Sequence, residues 1–410
     1  MSEVAQVPQL RFPEFSGEWE EKRFDSLYPT VRNGFVGVAT PYYVEEGVPY
    51  LQGKNIKSGA INRNGLVYIN ESFHQKSKKS QLRQNDIVMV QSGHVGECAV
   101  ITEEFEDTNC HALLVSTPTH DIDSKFYINY FYSKFGRKKI YRITTGNTIK
   151  HILSSDLKIQ TVSNPSYQEQ QKIAAFLAAV DSKIEQLSKK QALLGEYKKG
   201  LMQQIFSQAI RFKADDGSEF PDWEDNTIDK ALHSYKLGGN YSNSEAVTDY
   251  PLIKMGNLDR GNIKLNKLQY INTEENIDDS DKINYGDLFF NTRNTLDLVG
   301  KVAIWRDELP CAYYNSNLMK MEFSDNFFMN YRFNSFDGIK ALRRVATGTT
   351  SVAAIYTKDL LKIKFSLPTL SEQQKIANFL SSIDTKIEQA GKQLDESKQF
   401  KKALLQQMFV

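Results

Sequence analysis

A single chain that carries the same long, proline-free segment twice can fold in few ways. Residues Glu169–Phe206 and Glu372–Phe409 align without a gap at an offset of 203, with 20 identities over 38 positions. Both open on the same words, EQQKIA at Glu169 and at Glu372, followed by D-x-KIEQ at Asp181 and Asp384. Upstream the register recurs within two residues. Tyr68-Ile-Asn matches Tyr270-Ile-Asn, Asn85-Asp-Ile matches Gly286-Asp-Leu, and Thr145-Gly matches Thr347-Gly. The 410 residues are therefore a tandem duplication of about 200 residues. We expect a mixed domain over 1–164, a helix over 165–208, a second domain over 209–366 and a second helix over 367–410.

Each helical segment has a start signal. Ser166 and Thr369 stand three residues before Glu169 and Glu372, the spacing of a capping box. Each then runs for some 40 residues, about 60 Å at 1.5 Å per residue. Apolar residues step by threes and fours: Ile173, Leu177, Val180, Ile184, Leu187 and Leu194, then Ile376, Leu380, Ile383, Ile387, Ala390 and Leu394. Such a narrow stripe is a coiled-coil seam. Each stripe could instead pack on its own domain or on another copy, but two near-identical stripes in one chain most simply cover each other. The first helix feeds directly into the second domain, and that domain feeds directly into the second helix. Only an antiparallel pair makes both connections short, so we expect an antiparallel coiled coil with pseudo-two-fold symmetry.

The domains read as α/β (α+β) mixtures of short strands. Candidates are Val48–Leu51, Leu66–Ile69, Ile87–Gln91 and Ala99–Ile101 in the first, and Pro251–Met255, Leu268–Ile271, Leu288–Asn291 and Lys301–Trp305 in the second.

Overall charge is uninformative: 51 Lys plus Arg against 50 Asp plus Glu leave +1. Its distribution is not. From Ile122 to Asn164 eight basic residues face two acidic ones, and from Asn326 to Lys364 seven face two. Both stretches interleave aromatics, as in Tyr130-Phe131-Tyr132. A solvated helix face would read the same way once; twice in register, it suits a phosphate backbone, which rewards clustered cations by counterion release. We single out Lys138, Lys139, Arg343 and Arg344 here.

Reading base edges needs Asn, Gln, Arg, Lys, Ser or Thr on loops narrow enough for a groove. Two loops per domain qualify. One is Gln91-Ser92-Gly93-His94, matched by Asn291-Thr292-Arg293-Asn294. The other is Thr145 to His151, with Asn147, Thr148, Lys150 and His151, matched by Thr347 to Ser351, with Thr349 and Thr350. Lys54, Asn55 and Asn257 are weaker candidates.

Signals for catalysis are missing. An amino-methyltransferase needs an Asn/Asp-Pro-Pro-aromatic motif, and no Pro-Pro occurs; Asn164-Pro165-Ser166-Tyr167 is matched by Leu367-Pro368-Thr369-Leu370, so the shared feature is a helix start. No GxxxxGK[ST] loop is present, since Gly300-Lys301 runs into Val302. Glu20-Glu21-Lys22 is too common a pattern to mean a nuclease. Cys98, Cys110 and Cys311 have no metal-ligand spacing, with or without His94 and His111, and we expect no metal. An N-terminus without a basic start and apolar run, and the lack of a spanning stretch, point to the cytoplasm.

Taken together, two domains alternating with two EQQKIA…D-x-KIEQ helices resemble the specificity subunit of Type I restriction–modification systems, over essentially the whole chain. The resemblance implies a non-catalytic subunit that reads a bipartite double-stranded DNA target, one half per domain. The helices would set the spacer between halves. Two methyltransferase subunits carrying S-adenosylmethionine would dock on it, and restriction subunits using ATP and Mg would join them, with no cofactor on this chain. A self-contained methyltransferase or nuclease, and a coiled-coil adaptor with no DNA role, are the rival readings.

Overall fold

The computed structural model describes residues 6–349 and 351–410. The chain divides into two compact units. One comprises Met1–Lys189 with Gly391–Val410, the other Lys190–Ala390. The two long helices, Tyr167–Phe206 and Leu370–Gln407, each contribute to both units.

In the first unit, an antiparallel sheet runs in the order Thr30–Asn33, Leu113–Thr117, Ile87–Val90, Cys98–Val100. A second four-stranded sheet holds Asn109–Cys110, Val48–Leu51, Val67–Ile69 and Tyr43–Val44. Ile87–Val90 is buried on both faces, which is why it reads as a continuous apolar run rather than an alternation. Two short helices follow, Ser124–Tyr132 and Lys134–Arg142. Asp123 caps the first through its carboxylate and Ser133 caps the second through its hydroxyl.

The second unit repeats this plan. Its main sheet runs Leu232–Leu237, Leu318–Phe323, Leu288–Asn291, Val302–Ile304, and its smaller sheet Asn243–Ser244, Gln269–Ile271, Pro251–Ile253, Tyr313–Tyr314. Helices Asn326–Asn334 and Phe336–Val345 follow, capped by Asp325 and Ser335. All eight expected strands are present within two residues of their expected ends.

Within each unit, the two helix portions run antiparallel. In the first, Ser163, just ahead of the first helix, meets the chain end at Val410, and further along the helix Asp181 pairs with Lys401. In the second, Arg211 meets Glu372 and Lys198 meets Asp384. The opening turns of each helix serve a domain core as well as the seam. Ile173 and Leu177 pack with Phe126, Tyr130, Leu404 and Phe409; Ile376, Leu380 and Ile383 pack with Phe206, Phe328 and Phe365. Val180 and Ile387 flank those cores. Beyond them Leu187, Ala390 and Leu394 are buried, whereas Ile184 and Leu194 are half-buried.

Only half of the expected capping box forms at the first helix. Ser166 Oγ accepts from the Glu169 N–H at 3.3 Å, but the Glu169 carboxylate does not return to the cap. It takes both prongs of Arg11, at 2.7 and 2.8 Å. A charge-assisted fork outcompetes a single backbone N–H. Glu372 receives Arg211 in the same way. Phe12 then meets Phe176 edge-on at 5.7 Å, and Phe212 meets Phe379 at 5.3 Å. An Arg-Phe arm thus straps each helix start. The Leu10 N–H donates to Gln407 O and the Ile210 N–H to Gln204 O, so each arm starts against the last turn of a long helix.

Candidate nucleic-acid interface

In the first unit, the strand Ile87–Val90 ends at Gln91 and the chain turns through Ser92, Gly93 and His94. The second expected loop, Thr145–His151, folds back upon it. Thr145 and His151 exchange backbone hydrogen bonds at 2.9 and 2.8 Å, the Gly93 N–H donates to Lys150 O, and the Ile152 N–H donates to Gln91 O. Ser92 Oγ and His151 Nδ1 lie 2.5 Å apart. Gly146 has φ +93°, and a Cβ there would strike Ile149 O, so the return of this loop needs glycine. Asn147, Thr148 and Lys150 are left exposed at its tip.

A cleft of about 890 Å³ opens beside the loops. Lys54, Gly93, His94, Lys138 and Lys150 line it, joined by Lys57, Arg137, Tyr141 and Thr144; Glu97 is its one acidic lining residue. Five cations against one carboxylate make it the basic face that the charge count anticipates. Tyr141 is about three-quarters exposed, and Lys150 Nζ sits 5.9 Å from its ring centre. An exposed aromatic carrying a cation offers a stacking surface with charge attached.

Some expected residues lie elsewhere. Asn55 is fully buried: its Oδ1 accepts from the Gln52 N–H at 3.0 Å, and its Nδ2 donates to Asn62 O and Asn64 O. Asn257 does the same job, accepting from the Lys254 N–H and donating to Lys264 O and Asn266 O. Both pin a turn and have no free edge for a base, which corrects their assignment as base readers. Lys139 turns away from the cleft; its Nζ donates to Glu21 Oε1 and Thr161 O at 2.7 and 2.8 Å, tying its helix to the strand pair Glu20–Arg23 and Thr161–Asn164. Asn291 is buried, with its Oδ1 accepting from the Arg293 N–H.

In the second unit, the two loops again join, here as a small sheet in which Arg293–Asn294 and Thr347–Gly348 both pair with Ala353–Ala354. Arg293, Arg343, Arg344 and Thr349 are exposed; Thr292 and Asn294 are half-buried, and Thr292 Oγ1 donates to Asn317 O. Thr350 lies outside the described residues. Cys98 and Cys110 are buried thiols whose pKa values burial pushes up, Cys110 to about 12. Among the described residues, no helix is long and apolar enough to cross a membrane.

Reading missed Arg11 and Arg211, and the signal was available: Arg-Phe recurs at 11–12 and 211–212, ahead of Trp19 and Trp223. It also missed Arg137 and Tyr141, because nothing in a basic amphipathic stretch says which side faces a cleft.

These features define a duplicated α/β protein with paired long helices and two joined loops per unit, set beside a basic cleft in the first. The profile of the family described as Type I restriction modification DNA specificity domain matches residues 16–194 and 234–396. The chain belongs to this family. It is similar to the putative type I restriction enzyme MjaX specificity subunit of Methanocaldococcus jannaschii, with 25% identity covering 98% of this chain and 94% of that one. It is also similar to the EcoKI specificity subunit of Escherichia coli K12, with 23% identity covering 82% and 75%. Among solved structures, the Type-I restriction-modification system S subunit from M. genitalium superposes with a TM-score of 0.60 at 17% identity, over 98% of this chain and 99% of that one. A second, from work on complex assembly and conformational transition of the type I restriction–modification system, gives 0.53 at 15% identity, over 94% and 96%. These two share the fold.

Proposed function

We propose that this chain is the subunit that gives a Type I restriction–modification complex its sequence specificity, each unit reading one half of a bipartite DNA target. The observation that carries this is the joining, in both units, of two loops far apart in sequence, both with groove-reading side chains exposed. In this reading Ser92, Gly93, His94, Asn147, Thr148, Lys150 and His151 serve one half-site, and Thr292, Arg293, Asn294, Thr349 and Thr350 the other. Lys54, Lys138, Arg343 and Arg344 hold phosphates. Domains 1–164 and 209–366 do the reading; the paired helices over 165–208 and 367–410 set the spacer and dock two methyltransferase subunits. Adenine methylation with S-adenosylmethionine, and ATP-dependent cleavage, belong to the partners; this chain is non-catalytic, holds no cofactor and works in the cytoplasm.

The test is binding of random and target duplexes by the chain assembled with its methyltransferase subunits. Affinity should fall log-linearly with salt, with a slope of about −0.9 per phosphate neutralised. Tight S-adenosylmethionine binding by the isolated chain would favour an enzyme in its own right. Absence of any salt-dependent retention would favour a plain adaptor.

A further inference from the structure

We infer that Arg137 is the guanine-reading residue of the first unit, held in aim by Glu97 and Tyr132; this deepens the specificity reading above and rests on it. Arg137 lies in the wall of the basic cleft, on the helix Lys134–Arg142. Its Nη2 donates to Glu97 Oε1 at 3.0 Å, and its guanidinium carbon sits 4.5 Å from the centre of the Tyr132 ring. Glu97 is itself fixed. Its Oε2 accepts from the Ser58 N–H at 2.6 Å and from the Tyr132 hydroxyl at 2.9 Å, and that hydroxyl accepts from the Gly59 N–H. Burial works against the carboxylate's charge, but these donors outweigh it and hold the group below the usual range.

The brace decides what the arginine is for. A phosphate contact is rewarded by uncompensated positive charge, and a carboxylate behind the guanidinium cancels it. Lys54, Lys57 and Lys138, which line the cleft and pair with no carboxylate among the described residues, suit that task better. A base edge instead rewards direction: a guanidinium presents five N–H donors in a rigid fork, and two of them pair with guanine O6 and N7. Stacking on Tyr132, the bond to Glu97 and a longer one from Nη1 to Gly96 O at 3.5 Å fix the plane of the fork, and about two-fifths of the side chain stays exposed, with N–H donors to spare.

The second unit supports the assignment by replacing the whole brace at once. The scaffold around it is shared: Ser133-x-x-Gly136 and Ser335-x-x-Gly338 cap the same helix alike, and Gly96 and Gly300 hold the same positive-φ turn. Strand register then places Lys301 where the first unit has Glu97, and the matching helix caps place Asn334 for Tyr132 and Ile339 for Arg137. Lys301 donates to Leu258 O and Asn334 to Val302 O, so neither braces a neighbouring arginine. The frame stays while the arginine and both of its braces are replaced, which is what two units reading different half-sites would need.

The experiment is a methylome of the chain co-expressed with its methyltransferase subunit in a methylation-free host, wild type beside Arg137→Ala, Arg137→Lys and Glu97→Gln. The wild-type motif should hold a G·C pair in the half read by the first unit. Arg137→Ala should relax that one position, with discrimination falling about tenfold or more, while the other half is unchanged. Arg137→Lys, with the charge but no fork, should relax the same position, and Glu97→Gln should do so more weakly. A motif unchanged in all variants would overturn the inference. So would an equal loss of methylation at every site without a change of motif, the mark of a phosphate contact. A first half with no G·C pair would overturn it as well. No split motif for the wild type would overturn the specificity reading and take this inference with it.

Discussion

Asparagine at 55 and at 257 shows how one residue type serves opposite ends. Both recur in register, both precede a turn, and both are spent on backbone groups. Asn55→Ala should therefore cost stability, about 2 kcal/mol for buried backbone groups left without partners, and should leave the recognised motif intact; thermal unfolding beside a methylome checks both halves of that statement. Arg293, exposed in the joined loops of the second unit, should behave the other way round. Arg293→Ala should keep the unfolding midpoint and alter one half-site only. A third case is Arg11. Its partner Glu169 is almost wholly buried and Arg11 itself is only 12% exposed. Arg11→Ala strands a buried carboxylate and should cost about 3–5 kcal/mol. Arg11→Lys should recover only part of this, since an ammonium cannot supply the bidentate fork. Denaturant unfolding of the three forms gives the comparison. The sequence betrayed these roles unevenly. Repetition flags a residue as important but cannot separate a turn pin from a base reader, because burial is set by chain segments that meet only after folding.

At the scale of elements, the identity of the two long helices has a physical source. Glu169 and Glu372 each receive an arm, Gln170 and Gln373 each donate to the carbonyl of Pro165 or Pro368, and Phe176 and Phe379 each meet an arm phenylalanine edge to face. Much of EQQKIA-x-F is thus the requirement for docking an arm and closing a domain core, and only the later turns belong to the seam alone. Helices and strands were legible because each leaves a local pattern: steps of three and four for the seam, short near-continuous apolar runs for the buried strands. The arms carry none, and so escaped. The half-buried seam positions give the sharpest element-scale prediction. Ile184→Asp combined with Ile387→Asp places a carboxylate in the helix pairing of each unit. Assembly with the methyltransferase subunits should be lost on size-exclusion chromatography; an intact complex would count against paired helices as the scaffold.

For the whole molecule, duplication explains what composition conceals. A chain of net charge +1 gives no hint of a polyanionic partner, yet one cleft alone gathers five cations around a single carboxylate. Each unit joins the same two loops, fills them with different side chains, and keeps the frame beneath them. That is the arrangement expected if two domains read different sequences while presenting the same face to two copies of one partner. Which bases are read was never legible, because base choice depends on where a side-chain fork points and not on its residue type alone. The most direct test of the account is a methylome of the wild-type chain co-expressed with its methyltransferase subunit in a methylation-free host, mapped by single-molecule sequencing. The account predicts a new split motif with one methylated adenine in each half. A soluble complex of the two proteins that leaves the genome unmethylated would contradict it.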